Sequence, residues 1–246
     1  WRNICGDLFE QMQKYRIENI AVEASSLSAG QCAALTDGII LSDYKYKKNE
    51  TESKLNYSLT FLNSSEEQQK QISQSKAQAN AANKARFIAD SPANLMTPEL
   101  IAEEAKKIAE KSGLKLTILD EAEMQKQQLG ALLAVSQGSA HEARLICLEY
   151  THPEATKTIA MVGKGLTFDA GGINLKPSKG MFEMKYDKSG GAAVLNSMQA
   201  IADLQPKINV IGVIPSSENV TGANAFKPGD VITAYNGKTI EVIDTD

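Results

Sequence analysis

The sequence predicts an α/β protein whose main sheet is mostly parallel and is flanked by helices. Two observations indicate this class. In the second half of the chain, apolar β-rich runs alternate with helical periodicity, and strands that alternate with helices form parallel sheets. The run at 207–217 is apolar enough for a strand that is buried on both faces. We also expect the end of a smaller N-terminal α/β domain in residues 1–65.

The first 65 residues contain two helical and two β-rich segments. Residues 7–16 and 28–44 have helical character, whereas 19–24 and 55–63 are β-rich. The charged run YKYKKNETESK at 44–54 predicts a surface loop. This part of the sequence offers no candidate for chemistry.

A long polar helix at 66–90 is expected to connect two domains. The Ser64-Ser65 pair before it offers an N-cap, and Glu66 and Glu67 suit the positive end of a helix. Its first half is polar nearly all round, as in helices that bridge domains. The Ser91-Pro92 pair ends the helix, so residues 91–246 are expected to form the second domain.

The second domain begins with a helix between the N-cap Thr97 and the stop signal Gly113. Pro98 suits the first helical position. The remaining predicted elements are strands at 114–120, 143–150, 157–163 and 207–217, helices at 121–135 and 191–204, and a hairpin around Asn236-Gly237.

Composition argues against several classes of partner. The chain has 246 residues, of which 42% are hydrophobic and 23% are charged, as in an ordinary soluble globular protein. Its formal net charge of −4 argues against nucleic acid or an anionic membrane as the main partner. No apolar run approaches the roughly 18–20 residues that span a bilayer. We therefore expect neither a nucleic-acid partner nor a membrane.

The cysteines and the two ends of the chain carry further expectations. Cys5, Cys32 and Cys147 are far apart and show no CxxC spacing. This pattern favours small core residues in a reducing compartment over a disulfide framework. The chain opens on Trp1 and closes directly after a β-rich run, so we expect a piece of a longer protein.

The stretch KGLTFDAGGINLKPSKGMFEMKYDKSGG at 164–191 places two lysines and two aspartates among glycines. Lys164 and Asp169 follow a buried-strand pattern, and ligands in α/β sheets bind at the carboxyl ends of strands. Asp187 precedes a predicted helix, and Asp246 follows another β-rich run. Carboxylates that converge there suit divalent cations, and bridging carboxylates suit a pair of ions. A ligating lysine would have to be neutral, whereas a second lysine could stay charged and stabilise an oxyanion.

The same residues allow other interpretations. They could be solvated loop charges. A phosphate-binding loop competes because of Lys164 and the glycines, but the GxxxxGK[ST] pattern is absent and the aspartates repel phosphate. His141 and His152 lie in predicted loops outside the stretch and are interpreted as surface residues. The sequence has no GxSxG motif and so does not indicate a serine hydrolase.

The motif VGKGLTFDAGGINLKPSKGMFEMKYDKSGGAA resembles the central motif of the leucyl aminopeptidase family, the two-metal cytosolic aminopeptidases. The similarity covers residues 79–246 and includes the segments ANAANKARFIADSPANLMTPELIAEEA, GALLAVSQGSAHEARLICLEY, ENVTGANAFKPGDVI and GKTIEVIDTD. Residues 1–65 resemble the end of the family's N-terminal domain more weakly. The resemblance implies that 91–246 is the first part of a metallopeptidase catalytic domain.

The resemblance also implies roles for individual residues. It implies four ligands of two divalent metal ions, with Asp169 between the ions: Lys164, Asp169, Asp187 and Asp246. Lys176 matches the catalytic lysine that polarises the scissile carbonyl, and Met184 matches a methionine that lines the substrate's first pocket. The ions are expected to be Zn²⁺ or Mn²⁺, with Mg²⁺ and Co²⁺ as alternatives, together with a bicarbonate in the intact enzyme.

The activity that the resemblance implies is release of N-terminal residues, Leu or Met preferred, from peptides by a metal-activated water. The protein would be cytoplasmic and, at full length, a homohexamer. A family glutamate and arginine would follow Asp246, so we expect the 246-residue chain itself to be inactive. Asp244 and Lys188-Ser189 depart from the family pattern. The alternatives are a non-catalytic scaffold or nucleic-acid-binding member, and a nucleotide-binding domain.

Overall fold

The computed structural model describes residues 2–46 and 57–246, which fall into two compact units with a division between Asn83 and Lys84. Of the predicted charged loop at 44–54, residues 47–54 lie outside the described residues. Within the described ranges, every helix is too short or too polar to cross a membrane.

The first unit contains two parallel strands, two complete helices and most of a third. Its elements are α1 (Arg2–Tyr15), β1 (Asn19–Glu23), α2 (Ala29–Ser42), β2 (Ser58–Leu62) and most of α3 (Glu66–Asp90). Strands β1 and β2 pair in register from Asn19 opposite Ser58. Helix α2 begins with a capping box, in which Ser28 and Gln31 each accept a backbone hydrogen bond from the other. Cys5, Phe9 and Ile39 are among the side chains buried between the helices and the strands.

The second unit contains the remaining elements. They are a 3-10 helix (Ala93–Leu95), α4 (Pro98–Ser112), β3 (Lys115–Leu119), α5 (Glu121–Lys126), α6 (Gly130–Ser136), β4 (Arg144–Tyr150), β5 (Thr158–Val162), β6 (Gly165–Asp169), a second 3-10 helix (Met181–Tyr186), α7 (Ser189–Leu204), β7 (Asn209–Asn219), β8 (Val231–Thr233) and β9 (Thr239–Glu241). The predicted α/β class with flanking helices is confirmed.

Five of these strands form the main sheet in the order β3-β4-β7-β5, with β6 also paired to β7. Strands β5 and β6 run parallel to β7, whereas β4 runs antiparallel to both β7 and β3. Within the described sheet, therefore, β3, β5, β6 and β7 share one direction and β4 runs in the other. The carboxyl ends of β6 and β7 consequently lie at the same edge of the sheet.

Helices α4 and α7 pack against each other and against β4 and β7. Thr97 caps α4, Pro98 occupies its first turn, and Gly113 ends it with a left-handed φ of 66°, as the sequence predicted. The buried core of this unit includes Ile101, Ala105, Ile146, Leu148, Leu195, Met198 and Ile214. This apolar layer fixes the strands whose ends carry the candidate site.

Two elements differ from the sequence-based expectation. The helix expected at 121–135 is divided into α5 and α6, because Gln128 has a φ of 58° that an α-helix cannot contain. The glycine-laced stretch begins with β6, which was not predicted. β6 pairs with β7 through a register shift between Leu166 and Phe168, and such an irregularity weakens the alternation that identifies a strand.

Candidate active site

The residues singled out in the glycine-laced stretch come from different elements that end near one another. Lys164 lies between β5 and β6, and Asp169 is the last residue of β6. Asp187 directly follows the second 3-10 helix, and only Lys188 separates it from α7. Asp246 lies beyond the β8–β9 hairpin, which has the predicted antiparallel pairing. The fold therefore brings together residues that are up to 82 positions apart in the sequence (164 and 246).

The charged groups form a line in which carboxylates and ammonium groups alternate. Lys164 Nζ lies 2.8 Å from Asp187 Oδ2 and 3.2 Å from Asp169 Oδ2. Lys176 Nζ lies 3.9 Å from the same Asp169 oxygen and forms an ion pair with Asp246 Oδ1. We call these five residues the charged line. Its three carboxylates exceed its two ammonium groups by one negative charge.

Asp169 is the most buried member of the charged line, with 3% of its surface exposed. Its Oδ1 accepts hydrogen bonds from the Gly171 backbone N–H and from Asn219 Nδ2, each at 3.0 Å. These donors are neutral, whereas Oδ2 faces the ammonium groups of Lys164 and Lys176. One carboxylate oxygen thus fixes the side chain, and the other faces positive charge.

A tight reversal returns the chain from Asp169 to Lys176. Gly171 and Gly172 have φ values of 88° and 71°, which residues with a Cβ rarely adopt. A Cβ on Gly171 would lie 2.4 Å from the Asn174 carbonyl oxygen. The reversal closes with a 3.0 Å hydrogen bond from the Lys176 N–H to the Ala170 carbonyl. The glycines therefore place the lysine ammonium beside the strand end.

Three further glycines bring the start of α7 against the strand ends. The Gly191 N–H donates to the Lys164 carbonyl at 2.6 Å. A Cβ on Gly163 would lie 2.3 Å from the Gly190 carbonyl oxygen, so the two backbones are in contact without space for a side chain. This contact fixes Asp187, which lies two residues before the first residue of α7, next to Lys164.

Burial and the neighbouring charges change the pKa values within the charged line. Burial favours the neutral form of Lys164, but the attraction of Asp187 and Asp169 is stronger, so the Lys164 pKa is raised. Burial likewise opposes ionisation of Asp169, yet the Gly171 N–H and Lys164 lower its pKa. The pKa of Asp187 is raised by burial and by Asp169, against the opposing effect of Lys164. Asp187 is therefore the carboxyl group of this pair that takes up a proton more readily.

Three residues that support the line were missed by reasoning from the sequence, namely Asn174, Asn219 and Thr245. Thr245 Oγ1 donates to the Gly171 carbonyl at 2.6 Å, and Asn219 Nδ2 donates to the Thr245 carbonyl at 2.8 Å. The Asn174 N–H donates to Thr245 Oγ1 at 2.9 Å. One signal was available, because Asn219 ends β7 at the same sheet edge as Asp169.

Lys188 was noted in the sequence only as a departure from a family pattern. Its side chain is completely buried, and its ammonium group donates to the Lys185 carbonyl. Burial lowers the pKa of Lys188 to about 8, with a contribution from repulsion by Lys185 and an opposing one from Asp90. Met184, the expected pocket residue, lies in the adjacent 3-10 helix and is partly buried.

The donor set of the charged line suits divalent ions only if a lysine amine is counted as a ligand. Among residues 2–46 and 57–246, no group of three or more His, Cys, Asp or Glu side chains is arranged to hold a metal ion. Here, however, Asp169 Oδ2 faces two cationic groups, and Asp187 and Asp246 lie next to those groups. Carboxylate oxygens and an amine are suitable ligands for Zn²⁺ and Mn²⁺. The residues therefore fit a site for cations.

The fold and the charged line define an α/β protein with a candidate site at the carboxyl ends of parallel strands. The sequence profile of the cytosol aminopeptidase family, catalytic domain, matches residues 83–246, which is more than half of the chain. The chain therefore belongs to the cytosol aminopeptidase family.

Curated relatives support the same assignment. A probable cytosol aminopeptidase from Nitrosococcus oceani is 54% identical over 177 residues, covering 71% of this chain and 35% of the relative. Proteins with the same description from Exiguobacterium sibiricum and Aquifex aeolicus are 38% and 40% identical, and each match covers 100% of this chain and 51% of the relative. The chain thus spans about half the length of the curated relatives it matches, or less.

Solved structures with the same fold include the bottromycin maturation enzyme BotP. It is 27% identical and has a TM-score of 0.88. The match covers 100% of this chain and 53% of the BotP chain. A structure of BotP in complex with Mn gives a TM-score of 0.88 at 28% identity, with 99% of this chain and 53% of that chain covered.

Proposed function

We propose that the complete protein is a metal-dependent aminopeptidase that removes N-terminal residues from peptides. The observation that carries the proposal is the charged line, in which three carboxylates and two lysines converge at the strand ends. All five residues lie within the range that matches the family's catalytic domain. The alternation of carboxylates with amines has no role in packing the core, because the core lies on the apolar layer between α4, α7 and the sheet.

Four residues would hold two divalent ions: Lys164, Asp169, Asp187 and Asp246. When bound, such ions would polarise the scissile carbonyl and make a water nucleophilic near neutral pH. The similar structure of BotP in complex with Mn supports Mn²⁺ as a suitable ion, with Zn²⁺ as the alternative. The residues' own task is to present anionic oxygen and a free amine in a fixed arrangement.

Lys164 must lose a proton before it can act as a ligand. The neighbouring aspartates raise its pKa in the metal-free chain, so a bound ion would compete with a proton for the amine. Metal binding through Lys164 therefore releases a proton and becomes stronger as the pH rises. Asp169 differs from Lys164 in this pH dependence, because the pKa of Asp169 is already lowered.

Lys176 would serve as the cationic group that stabilises the oxyanion formed at the substrate carbonyl. Its ammonium is held between Asp169 and Asp246, with 21% of the side chain exposed. That exposure leaves one side of the group open to a substrate. Met184 would contribute apolar surface to the pocket for the first substrate side chain, which favours Leu or Met there.

The proposal also extends to the assembly and location of the complete protein. As the family resemblance implies, it would be a cytoplasmic homohexamer that acts on peptide substrates. Light scattering of the purified complete protein measures the number of subunits directly, and a monomeric mass at working concentration would overturn the hexamer.

The test is a metal titration of the complete protein. After removal of metal with a chelator, Mn²⁺ or Zn²⁺ should restore hydrolysis of leucyl-anilide, and elemental analysis should find two ions per subunit at saturation. Asp169→Asn should lose metal and activity, whereas the matched change Asp203→Asn, at an exposed position on α7, should keep both. A single ion per saturated subunit would refute the two-metal site, and hydrolysis that is unaffected by metal removal would refute the metal-dependent activity.

A further inference from the structure

We propose that Asn219 is a positioning residue that holds Asp169 and the segment leading to Asp246 in one fixed arrangement. This inference rests on the proposed function, because it concerns the groups that would bind the metal ions. Asn219 is itself no ligand, since it acts through hydrogen bonds to its neighbours. It ends β7, and 4% of its surface is exposed.

The side-chain amide of Asn219 uses both of its N–H groups. It donates to Asp169 Oδ1 at 3.0 Å and to the Thr245 carbonyl at 2.8 Å. The first bond fixes the aspartate that would lie between the two ions. The second fixes the residue directly before Asp246. A single side chain therefore connects two of the proposed ligands, which lie 77 positions apart in the sequence (169 and 246).

The backbone of Asn219 is fixed independently of its side chain. Asp169 and Asn219 are opposite each other in the β6–β7 ladder, and the Asn219 carbonyl accepts the Ala170 N–H at 2.8 Å. On its other side, the amide oxygen packs close to Gly172, where an added Cβ would lie 2.7 Å away. Sheet pairing and this close contact thus restrict the amide to the orientation that reaches both partners.

Thr245 connects the Asn219 amide to the loop that returns the chain to Lys176. Its hydroxyl donates to the Gly171 carbonyl and accepts the Asn174 N–H. Its own N–H donates to Asn174 Oδ1 at 3.2 Å. Displacing the Asn219 amide would therefore disturb the loop at 170–174 as well as the segment next to Asp246.

The chemistry of the donor matters as much as its position. An amide fixes Asp169 Oδ1 without neutralising the carboxylate, so the full negative charge remains for a cation at Oδ2. Hydrogen bonds of this kind to ligating groups typically change metal affinity by roughly 10- to 100-fold when removed. A lysine or arginine in the same place would fix the side chain but would compete with the ion.

The experiment compares Asn219→Ala with Asn196→Ala in the complete protein. Asn196 is a matched control, because its amide is also buried and donates at 2.9 Å to a backbone carbonyl, that of Ala192 within α7. Mn²⁺ binding is measured by the electron paramagnetic resonance signal of the free ion. Asn219→Ala should weaken Mn²⁺ binding by roughly 10- to 100-fold, and Asn196→Ala should stay within twofold of the parent.

A second measurement needs no metal. Hydrogen exchange of the Gly171 and Thr245 backbone N–H groups in the metal-free protein should be faster in Asn219→Ala than in Asn196→Ala. Unchanged exchange at both positions would overturn the inference. If the parent binds Mn²⁺, an Mn²⁺ affinity of Asn219→Ala within twofold of the parent's would overturn it too. If the parent itself binds neither Mn²⁺ nor Zn²⁺, the proposed function fails instead, and the exchange measurement still decides whether Asn219 couples the two segments.

Discussion

Replacing Lys188 with methionine should make the metal-free protein more stable at neutral pH. Lys188 is completely buried, and burial together with repulsion by Lys185 lowers its pKa from 10.5 to about 8. A difference of that size corresponds to roughly 3 kcal/mol of unfavourable interaction of the charged form. Lys188→Met removes this cost but also removes the hydrogen bond to the Lys185 carbonyl, which contributes about 1–2 kcal/mol. The expected net gain at pH 7 is about 1–2 kcal/mol.

The pH dependence of the stability difference identifies the buried charge of Lys188 as its cause. Below about pH 8, Lys188 is protonated in both the folded and the unfolded chain, so the full cost of burying the charge applies. Between about pH 8 and 10.5, the folded chain releases the proton while the unfolded chain keeps it, and wild-type stability rises with pH. The advantage of Lys188→Met should therefore shrink above pH 8 and disappear by about pH 10.

Urea denaturation of wild type and Lys188→Met at pH 7 and pH 10, with chelator present, measures this difference. Lys126→Met is the matched control, because the Lys126 side chain is 74% exposed and its replacement should change stability by less than about 0.5 kcal/mol. Subtracting the two curves removes the titration of all shared groups. A variant that is less stable than wild type at pH 7, or an advantage that is equal at both pH values, would refute the reasoning.

Three further predictions concern the site and its surroundings. Lys176→Ala should lower turnover by roughly 10²–10³ and leave metal content unchanged, whereas Lys164→Ala should lose metal. Leucyl-anilide assays measure turnover and elemental analysis measures metal content, and an equal loss of metal in both variants would contradict these roles. Burial opposes ionisation of Glu99, but the hydroxyl that caps its helix and nearby positive groups lower its pKa from 4.5. Its ionised form therefore contributes stability at neutral pH that is lost as the pH falls through the folded-state pKa. In urea denaturation, the loss of stability in Glu99→Gln should be smaller at pH 3 than at pH 7, and an equal loss at both pH values would contradict this. Gly172→Ala should lower the free energy of unfolding by roughly 1–3 kcal/mol more than Gly229→Ala does. Both positions have positive φ, but a Cβ at Gly172 would lie 2.7 Å from a neighbouring side-chain oxygen, whereas a Cβ at Gly229 would meet open space. Equal melting temperatures of the two alanine variants would contradict the clash.

The sequence allowed most strands and helices of the second unit to be predicted, β6 excepted, because their signals are local. The cap at Thr97, the stop at Gly113 and the turn at Asn236-Gly237 each follow from one residue's own conformational preference, and each appears in the structure. The break at Gln128 could not be predicted, since a left-handed glutamine has no distinctive sequence signal.

The candidate site was predicted from its charges, and its supporting residues were not. Lys164, Asp169 and Asp187 stand in a motif that can be read directly from the sequence, and the structure places them within ion-pair distance. Their roles as metal ligands stay predictions. Asn219 was missed and Lys188 was noted only as a departure from the family pattern, because their importance lies in what their side chains contact after folding. An asparagine at a strand end and a lysine near a helix start are ordinary in sequence, and burial alone makes them exceptional.

The alternation of charge in the charged line has a consequence for the order of events in the cell. Because Lys164 and Lys176 stand between the three aspartates, most of the repulsion between the carboxylates is neutralised by the chain itself. Small zinc domains, in contrast, fold only when the ion is bound, because its binding free energy is their folding free energy. Under the proposed function, folding of this protein would therefore not depend on metal supply. If the proposed ligands bind metal, the ions would be loaded onto a chain that is already folded, in exchange for protons and with no refolding step.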